Sequence, residues 1–171
     1  MDVVVLGSLN MDLVAQVPHL PQPGETLLGK SFATIPGGKG GNQAVAAARL
    51  GARTAMVGRV GNDEMGKALR SRLADENINT QGVNISPRAS SGTALISVSP
   101  SNNQIVVVPG ANAEVDDTEL DALMYYFEQA RVLLLQFEIP LDMVEKAAAL
   151  GHTAGLTVIV DPAPAQGPLP V

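Results

Sequence analysis

Short apolar runs alternate with amphipathic stretches along most of this chain. Continuous aliphatic runs bounded by polar residues predict buried strands at 3–9, 54–60, 132–136 and 157–160. Apolar positions at helical spacing, flanked by glycine, proline or acidic residues, predict helices at 42–50, 63–76, 116–129 and 141–152. Strands that alternate with helices in this way favour a parallel α/β sheet joined by right-handed crossovers.

Two regions depart from this alternation. Residues 11–36 contain four prolines and short alternating pieces such as 13–17, which predicts strands and turns without a helix. The apolar runs 93–99 and 105–108 flank the sequence Pro-Ser-Asn-Asn-Gln, and this turn chemistry predicts a hairpin. We expect these pieces to form a small β excursion outside the α/β body.

Composition and charge narrow the classes of partner. The 171 residues fit one domain, and 46% hydrophobic with 16% charged residues indicates a globular protein. A net charge of -6 without a basic stripe disfavours nucleic acid. The absence of cysteine excludes disulfides and Cys-based zinc sites and fits a cytoplasmic location. The apolar run at 3–9 is too short and too acidic at its flanks for a signal peptide or membrane span.

A glycine-dense loop at 37–42, with the sequence Gly-Gly-Lys-Gly-Gly-Asn, runs straight into the alanine-rich helix. Glycine allows the backbone to approach a ligand closely, and free N–H groups at a helix N-terminus can hold polar or anionic atoms. Lys39 and Asn42 add side-chain donors. A tight loop whose glycines serve only chain reversal is the alternative, and the residues by themselves leave both interpretations open.

A second glycine and lysine segment, at 24–31, matches the P-loop expression G-x-x-x-x-G-K-[ST]. A working P-loop follows a strand and opens a helix at its lysine. Here Pro21 and Pro23 precede the motif, and Pro36 stands where the helix should run. This context argues against a P-loop, and a nucleotide-binding protein that uses Lys30 is kept as an alternative.

Polar residues follow several predicted strands. Asn10 and Asp12 come just after the first strand, Glu138 follows the strand at 132–136, and Asp161 follows the last one. Ligands of open parallel sheets lie outside the carboxyl ends of the strands. An acid beside an amide suits sugar hydroxyls, since the acid accepts hydrogen bonds and the amide both donates and accepts. Each residue alone is typical of a turn or a surface loop, and together they favour a ligand site.

Segments along the whole chain, in order, resemble the ribokinase-like (PfkB) sugar kinase family. The matching residues are those at 5–12, 23–26, 37–47, 58–66, 110–112, 135–138 and 162–165. The resemblance implies an α/β fold with a central, mostly parallel sheet flanked by helices, plus a small β lid at about 13–36 and 93–108. It also implies that residues 1–171 are the N-terminal portion of one such domain, incomplete at the C-terminus.

The resemblance implies a function as well. The family transfers a phosphoryl group from ATP to the hydroxymethyl oxygen of a furanose sugar, with ribose the first expectation here, and it uses Mg²⁺ and a monovalent cation such as K⁺. The family's lid also forms a homodimer contact. The family's sugar contacts fall on six residues of this sequence: Asn10, Asp12, Gly38, Lys39, Asn42 and Glu138. The sequence departs from the family at Gly41, usually alanine, and at Asp161, usually asparagine.

Two further motifs of the family, Asn-x-x-Glu and Gly-Ala-Gly-Asp, do not occur in the sequence. We therefore expect the catalytic aspartate base and the ATP site to lie beyond Val171. This chain alone should then be an inactive fragment that binds none of the cofactors well. The alternatives are a non-catalytic sugar-binding or oligomerisation module, and a kinase of the same family for deoxyribose, fructose or a nucleoside.

Overall fold

The computed structural model describes residues 1–165 and 167, which form two β-sheets and four α-helices. The strands are β1 (Val3–Leu6), β2 (Asn10–Gln16), β3 (Ser31–Gly37), β4 (Thr54–Gly61), β5 (Asn79–Ser86), β6 (Gly92–Val98), β7 (Asn103–Val108), β8 (Val132–Gln136) and β9 (Thr157–Asp161). The α-helices are α1 (Lys39–Arg49), α2 (Glu64–Asp75), α3 (Asp117–Phe127) and α4 (Leu141–Thr153). A 3-10 helix spans Gly110–Glu114.

The main sheet has five parallel strands in the order β5-β4-β1-β8-β9. Its central strand β1 is apolar throughout because both of its faces are covered. Val5 packs into a core with side chains of α1 and α2, whereas Val4 and Leu6 pack with side chains of α3 and α4. This confirms the predicted fold class, a mostly parallel sheet flanked by helices.

The second sheet has four strands in the order β3-β2-β6-β7. Strand β2 pairs with β6 in parallel, while the β2–β3 and β6–β7 pairs are antiparallel. All of β7 is exposed. This sheet contains the two regions that departed from the helix-strand alternation, and it includes the predicted hairpin. Its role as a lid stays a prediction.

Three features of the chain differ from expectation. Strand β1 ends at Leu6, and Ser8 and Leu9 that follow are buried outside any strand. Helix α1 begins at Lys39, three residues earlier than predicted, so the glycine-dense loop forms its first turn. Strand β5 was not predicted, because its sequence contains one glycine, two asparagines and no regular apolar alternation.

The C-terminal prolines fall partly outside the described part of the chain. The peptide bond between Ala163 and Pro164 is cis. Pro168 and Pro170 lie outside the described residues. None of the helices in the described part is long and apolar enough to cross a membrane.

Candidate functional site

One cavity of about 160 Å³ lies between the two sheets, and all six residues expected to contact a sugar line it. These residues are Asn10, Asp12, Gly38, Lys39, Asn42 and Glu138. The remaining lining residues belong to the four-stranded sheet and are apolar: Ala94, Ile96, Ile105 and Val107. A larger cavity of about 370 Å³ shares Glu138 and Val107 with it and is otherwise lined mostly by apolar residues.

Sheet topology brings the polar residues together. Strands β1 and β8 are parallel neighbours, so their carboxyl ends lie at the same edge of the main sheet. Asn10 and Asp12 follow β1 as the start of β2, and Glu138 comes two residues after β8. The same edge receives the first turn of α1, which supplies Lys39. Residues more than a hundred positions apart in sequence therefore meet at one site.

The glycine-dense turn serves close packing. Gly38 has φ of 87°, a left-handed conformation that favours glycine. A Cβ atom at Gly40 would lie 2.8 Å from the carbonyl carbon of Gly7, so only glycine lets α1 approach the end of β1 this closely.

Of the two interpretations left open for this turn, the one with free amides for a ligand is not supported, because three of its amides donate to protein acceptors. The Lys39 amide donates to Glu138 Oε2 at 3.2 Å, and the Gly40 amide donates to Ser8 Oγ at 3.4 Å. The Gly41 amide donates to the Ser8 carbonyl oxygen at 3.0 Å. The helix N-terminus is therefore occupied by protein groups, and it supports the carboxylate of Glu138 through its amides and its dipole.

Glu138 is the centre of the polar contacts. Its Oε2 accepts hydrogen bonds from the Ser8 hydroxyl at 2.6 Å, from Asn10 Nδ2 at 3.4 Å and from the Lys39 amide at 3.2 Å. These three bonds all end on one oxygen, so Oε1 keeps its capacity to accept from a ligand. The carboxylate is held in place without an ion pair to any described lysine or arginine.

Asp12 carries the second carboxylate of the cavity. Burial, together with the nearby negative charge of Glu138, raises the pKa of Asp12 above its ordinary value. No described group donates a hydrogen bond to the Asp12 carboxylate, so nothing offsets the effects of burial and of the negative charge of Glu138. Asp12 therefore has a strong acceptor without an internal partner.

Asn10 is 3% exposed and is held from the opposite side by Asn112. Asn112 Nδ2 donates to Asn10 Oδ1 at 2.7 Å and to the Leu9 carbonyl oxygen at 3.1 Å, while its Oδ1 accepts from the Leu9 amide at 2.9 Å. The segment 110–112 stood among the residues that resemble the family in sequence, with no role assigned to it. The structure gives its asparagine a defined set of hydrogen bonds next to the cavity.

The chemistry of the cavity suits a neutral ligand with several hydroxyl groups. Two carboxylates can accept hydrogen bonds from hydroxyls, and the side chains of Asn42 and Lys39 can donate to them. An anionic ligand would meet two negative charges that no described cation pairs with. The apolar side chains of the second sheet cover the cavity and can contact the carbon face of a ring.

Sequence reasoning missed Ser8. Its side chain is fully buried and joins Glu138 to the first turn of α1. The available signal was a serine two residues after β1 and two residues before Asn10. Asp161, by contrast, ends β9 and does not line the cavity.

The P-loop interpretation of 24–31 lacks its structural context. Lys30 is followed directly by β3, a strand at the edge of the second sheet, and no helix opens there. Within residues 1–165 and 167, no group of three or more His, Asp or Glu side chains could hold a metal ion.

A separate ionic cluster lies away from the cavity. Glu119 is fully buried, and its oxygens accept hydrogen bonds from Arg59 at 2.9 and 2.7 Å and from Asn84 Nδ2 at 2.7 Å. Arg59 also donates to Asp116 Oδ1 at 2.9 Å, and Asp116 caps α3 in a capping box with Glu119. The cluster joins β4, β5 and α3 and has no contact with the predicted ligand residues.

The fold and site identify the class of the protein. The model of the pfkB family carbohydrate kinases matches residues 1–170, and the chain belongs to this family. This confirms the resemblance seen in the sequence motifs.

Individual relatives narrow the comparison. Ribokinase of Haemophilus influenzae is 42% identical over 163 residues, covering 95% of this chain and 53% of the relative. Ribokinase of Bacillus subtilis is 41% identical over 165 residues, covering 96% of this chain and 56% of the relative. The solved structure of Arabidopsis thaliana ribokinase complexed with ribose and ATP is 33% identical, with a TM-score of 0.86 over 99% of this chain and 55% of that one. The chain spans about half the length of the relatives it matches.

Proposed function

We propose that the protein is a sugar kinase that transfers a phosphoryl group from ATP to the hydroxymethyl oxygen of a furanose, with ribose as its substrate. The observation that carries the proposal is the cavity lined by Asn10, Asp12, Gly38, Lys39, Asn42 and Glu138. Its two carboxylates and flanking donors suit a polyhydroxyl ligand. Identities of 42% and 41% to two ribokinases put ribose first, ahead of deoxyribose, since a deoxyribokinase of Salmonella typhi is 37% identical.

Each lining residue has a part in this proposal. Asp12 and Oε1 of Glu138 accept hydrogen bonds from sugar hydroxyls, and Asn10, Asn42 and the Lys39 ammonium donate to the sugar oxygens. Gly38 lets the start of α1 lie close against the backbone of residues 8–10, which brings Lys39 and Asn42 to the sugar. Holding the sugar in one orientation aligns its hydroxymethyl oxygen for an in-line displacement at the γ-phosphoryl group. The apolar face of the second sheet excludes water as a lid.

ATP, Mg²⁺ and K⁺ belong to the proposal as the cofactors of the complete reaction. The described residues assign no ligand to a metal ion, and we derive no step through one. When bound, Mg²⁺ neutralises charge on the phosphates. We place the nucleotide pocket and the aspartate base in the part of the relatives that this chain does not match.

We further propose that the protein is a cytoplasmic homodimer whose contact is the cavity-side face of the second sheet. Three apolar side chains on the same face of this sheet as Asp12 are 44–51% exposed: Ile35, Ile105 and Val107. Light scattering should detect a dimer that Ile105→Asp dissociates. The control is Leu50→Asp, at an 89% exposed leucine outside this sheet, which should leave the dimer intact.

The function is tested by sugar-dependent formation of ADP by the gene product expressed from its own reading frame. Ribose should support turnover more efficiently than deoxyribose, fructose or adenosine, and Asp12→Ala should weaken sugar binding measured by calorimetry by roughly 10- to 150-fold. Lys30→Ala is the matched control and should leave nucleotide use unchanged. Binding of ribose without turnover would favour the sugar-binding module, and loss of nucleotide use in Lys30→Ala would favour the P-loop alternative.

A further inference from the structure

Asn112 is buried behind the cavity, and all the hydrogen-bonding groups of its side chain are in use. It is 1% exposed and does not line the cavity. Its oxygen accepts from the Leu9 amide, and its two N–H groups point to the Leu9 carbonyl oxygen and to Asn10 Oδ1. The side chain thus pairs with the backbone of Leu9 as a neighbouring strand would.

This pairing determines which way the Asn112 amide faces. The backbone N–H of Leu9 can only donate, so the group opposite it has to be the oxygen of Asn112. The nitrogen of Asn112 then faces the Leu9 carbonyl oxygen and Asn10. The usual ambiguity between the oxygen and nitrogen of an asparagine side chain is removed by a backbone group of fixed polarity.

The same argument determines the orientation of the Asn10 side-chain amide. Because Asn112 presents a donor, the group of Asn10 that meets it at 2.7 Å has to be the oxygen. The NH₂ group of Asn10 therefore faces the other way, toward Glu138 Oε2 at 3.4 Å and the cavity that both residues line. One of its two N–H bonds is taken by Glu138, and the second is left for a ligand.

Gly92 provides independent evidence that this contact is tightly built. A Cβ atom at Gly92 would collide with both Asn10 Oδ1 and Asn112 Nδ2. Gly92 opens β6, directly beside Asn10 at the start of β2. The start of β6 thus leaves space for the pair of amides but not for a side chain at position 92.

We infer that Asn112 is a positioning residue that fixes the amide of Asn10 as a donor toward the ligand, and so sets the polarity of this side of the cavity. A ligand group that meets Asn10 has to accept a hydrogen bond, as a hydroxyl or ring oxygen does. Without Asn112, the buried oxygen of Asn10 loses its partner, and only the 3.4 Å contact with Glu138 Oε2 still orients the amide. A reversed amide would turn its oxygen toward the carboxylate of Glu138, which repels it.

The orientation is tested directly in the unaltered, ligand-free protein. In a ¹⁵N,¹³C-labelled sample, a scalar coupling across the hydrogen bond should connect Asn112 Nδ2 with the Asn10 side-chain carbonyl carbon. A coupling in the opposite sense, from Asn10 Nδ2 to the Asn112 carbonyl carbon, would overturn the inference. This measurement requires no substitution and no sugar.

The effect on binding rests on the proposed function and is tested by a double-mutant cycle. Asn112→Asp keeps the acceptor for Leu9 but replaces the donor that faces Asn10. We expect it to weaken ribose binding about tenfold, the value of roughly one hydrogen bond. In the Asn10→Ala background the same substitution should change ribose affinity less than about twofold, because residue 112 can no longer act through the amide of Asn10.

The two possible failures are distinguishable. If Asn112→Asp weakens binding equally in both backgrounds, it acts on the structure at large and the positioning role is wrong. If the unaltered protein binds no ribose, the proposed function fails, while the scalar coupling still decides the orientation of Asn10.

Discussion

Two glutamates in this chain, Glu119 and Glu138, occupy opposite electrostatic environments. Glu119 is fully buried and is paired with Arg59, with a further hydrogen bond from Asn84. Glu138 is half-buried, accepts three hydrogen bonds on one oxygen, and lies close enough to Asp12 that its negative charge helps to raise the pKa of the Asp12 carboxyl. One carboxylate is neutralised by a cation, and the other is placed near a like charge.

The difference separates a structural role from a ligand-binding role. A buried charge without a partner is costly, so a cluster that supports the fold has to supply the opposite charge itself. Glu119 meets this condition. The Asp12 and Glu138 pair has no cation, and its free acceptors, on Asp12 and on Oε1 of Glu138, gain donors only when hydroxyl groups occupy the cavity. Four predictions follow the comparison from the largest expected effect to the smallest.

The largest effect is expected from Glu119→Ala. It leaves the Arg59 guanidinium, 10% exposed, without its buried partner. We expect the free energy of unfolding in urea to fall by about 3–5 kcal/mol. The control is Asp117→Ala, in the same helix as Glu119, which removes an exposed ion pair with Lys146. It should change the free energy of unfolding by less than about 0.5 kcal/mol. Equal losses in the two variants would show that the buried cluster does not stabilise the fold.

The next effect concerns sugar affinity. Asp12→Ala should reduce the free energy of ribose binding by about 1.5–3 kcal/mol, or roughly 10- to 150-fold in affinity, because a charged acceptor is lost. It should not lower the stability of the ligand-free protein, since the Asp12 carboxylate is unfavourably placed there. Calorimetry and urea unfolding check the two statements, with Asp75→Asn on the exposed end of α2 as the control. A destabilised variant with unchanged affinity would show that Asp12 stabilises the fold and does not bind the sugar.

The third effect is a pH dependence of ribose binding. The pKa of Asp12 is raised above 3.8, so on acidification this carboxyl takes up a proton before an ordinary aspartate does. Affinity should fall as the pH drops through this raised pKa, while the same protonation favours the folded state. In Asp12→Asn the affinity is lower but should be flat over this range. A decline of equal steepness in Asp12→Asn would assign the titration to another group.

The smallest effect is expected at the other cluster and has the opposite sign. Hydrogen bonds from Arg59 and Thr118 lower the pKa of Asp116 from 3.8 to about 2. Its contribution to stability is complete above 3.8 and is lost as the pH falls from there toward 2. Asp116→Asn keeps the helix cap but not the charge. The stability difference between the unaltered protein and the variant should shrink over this interval, and a constant difference would contradict the assignment.

The sequence predicted the elements whose signals are local. Helix α3 was marked by the acidic residues at its start, which prove to include a capping box. The apolar run of β1 indicated burial on both faces, and the five-stranded sheet provides it. Strand β5 carries no such signal, since its place in the sheet is determined by pairing with β4.

The sequence predicted six residues that line the cavity, but it missed Ser8, misplaced Asp161 and did not reveal the internal contacts. Polar residues after parallel strands predicted which side chains meet. The use of the α1 amides by Ser8 and Glu138 depends on the exact approach of the helix to β1, which a glycine pattern does not specify. The partners of Glu119 and Asn10 lie 60 and 102 residues away in sequence, so no local pattern reveals them.

Because β1 is the central strand of the main sheet, the site can form only after a neighbouring strand, β8, has been synthesised. Ser8, just after β1, and its hydrogen-bond partner Glu138 are 130 residues apart. At about 5–20 residues per second, Glu138 leaves the ribosome roughly 7–26 s after Ser8. During that interval β1 lacks its β8 neighbour and keeps one edge free for pairing with other chains. The cavity is therefore completed only after Glu138 has left the ribosome, and the nascent chain has to protect its oldest strand until then.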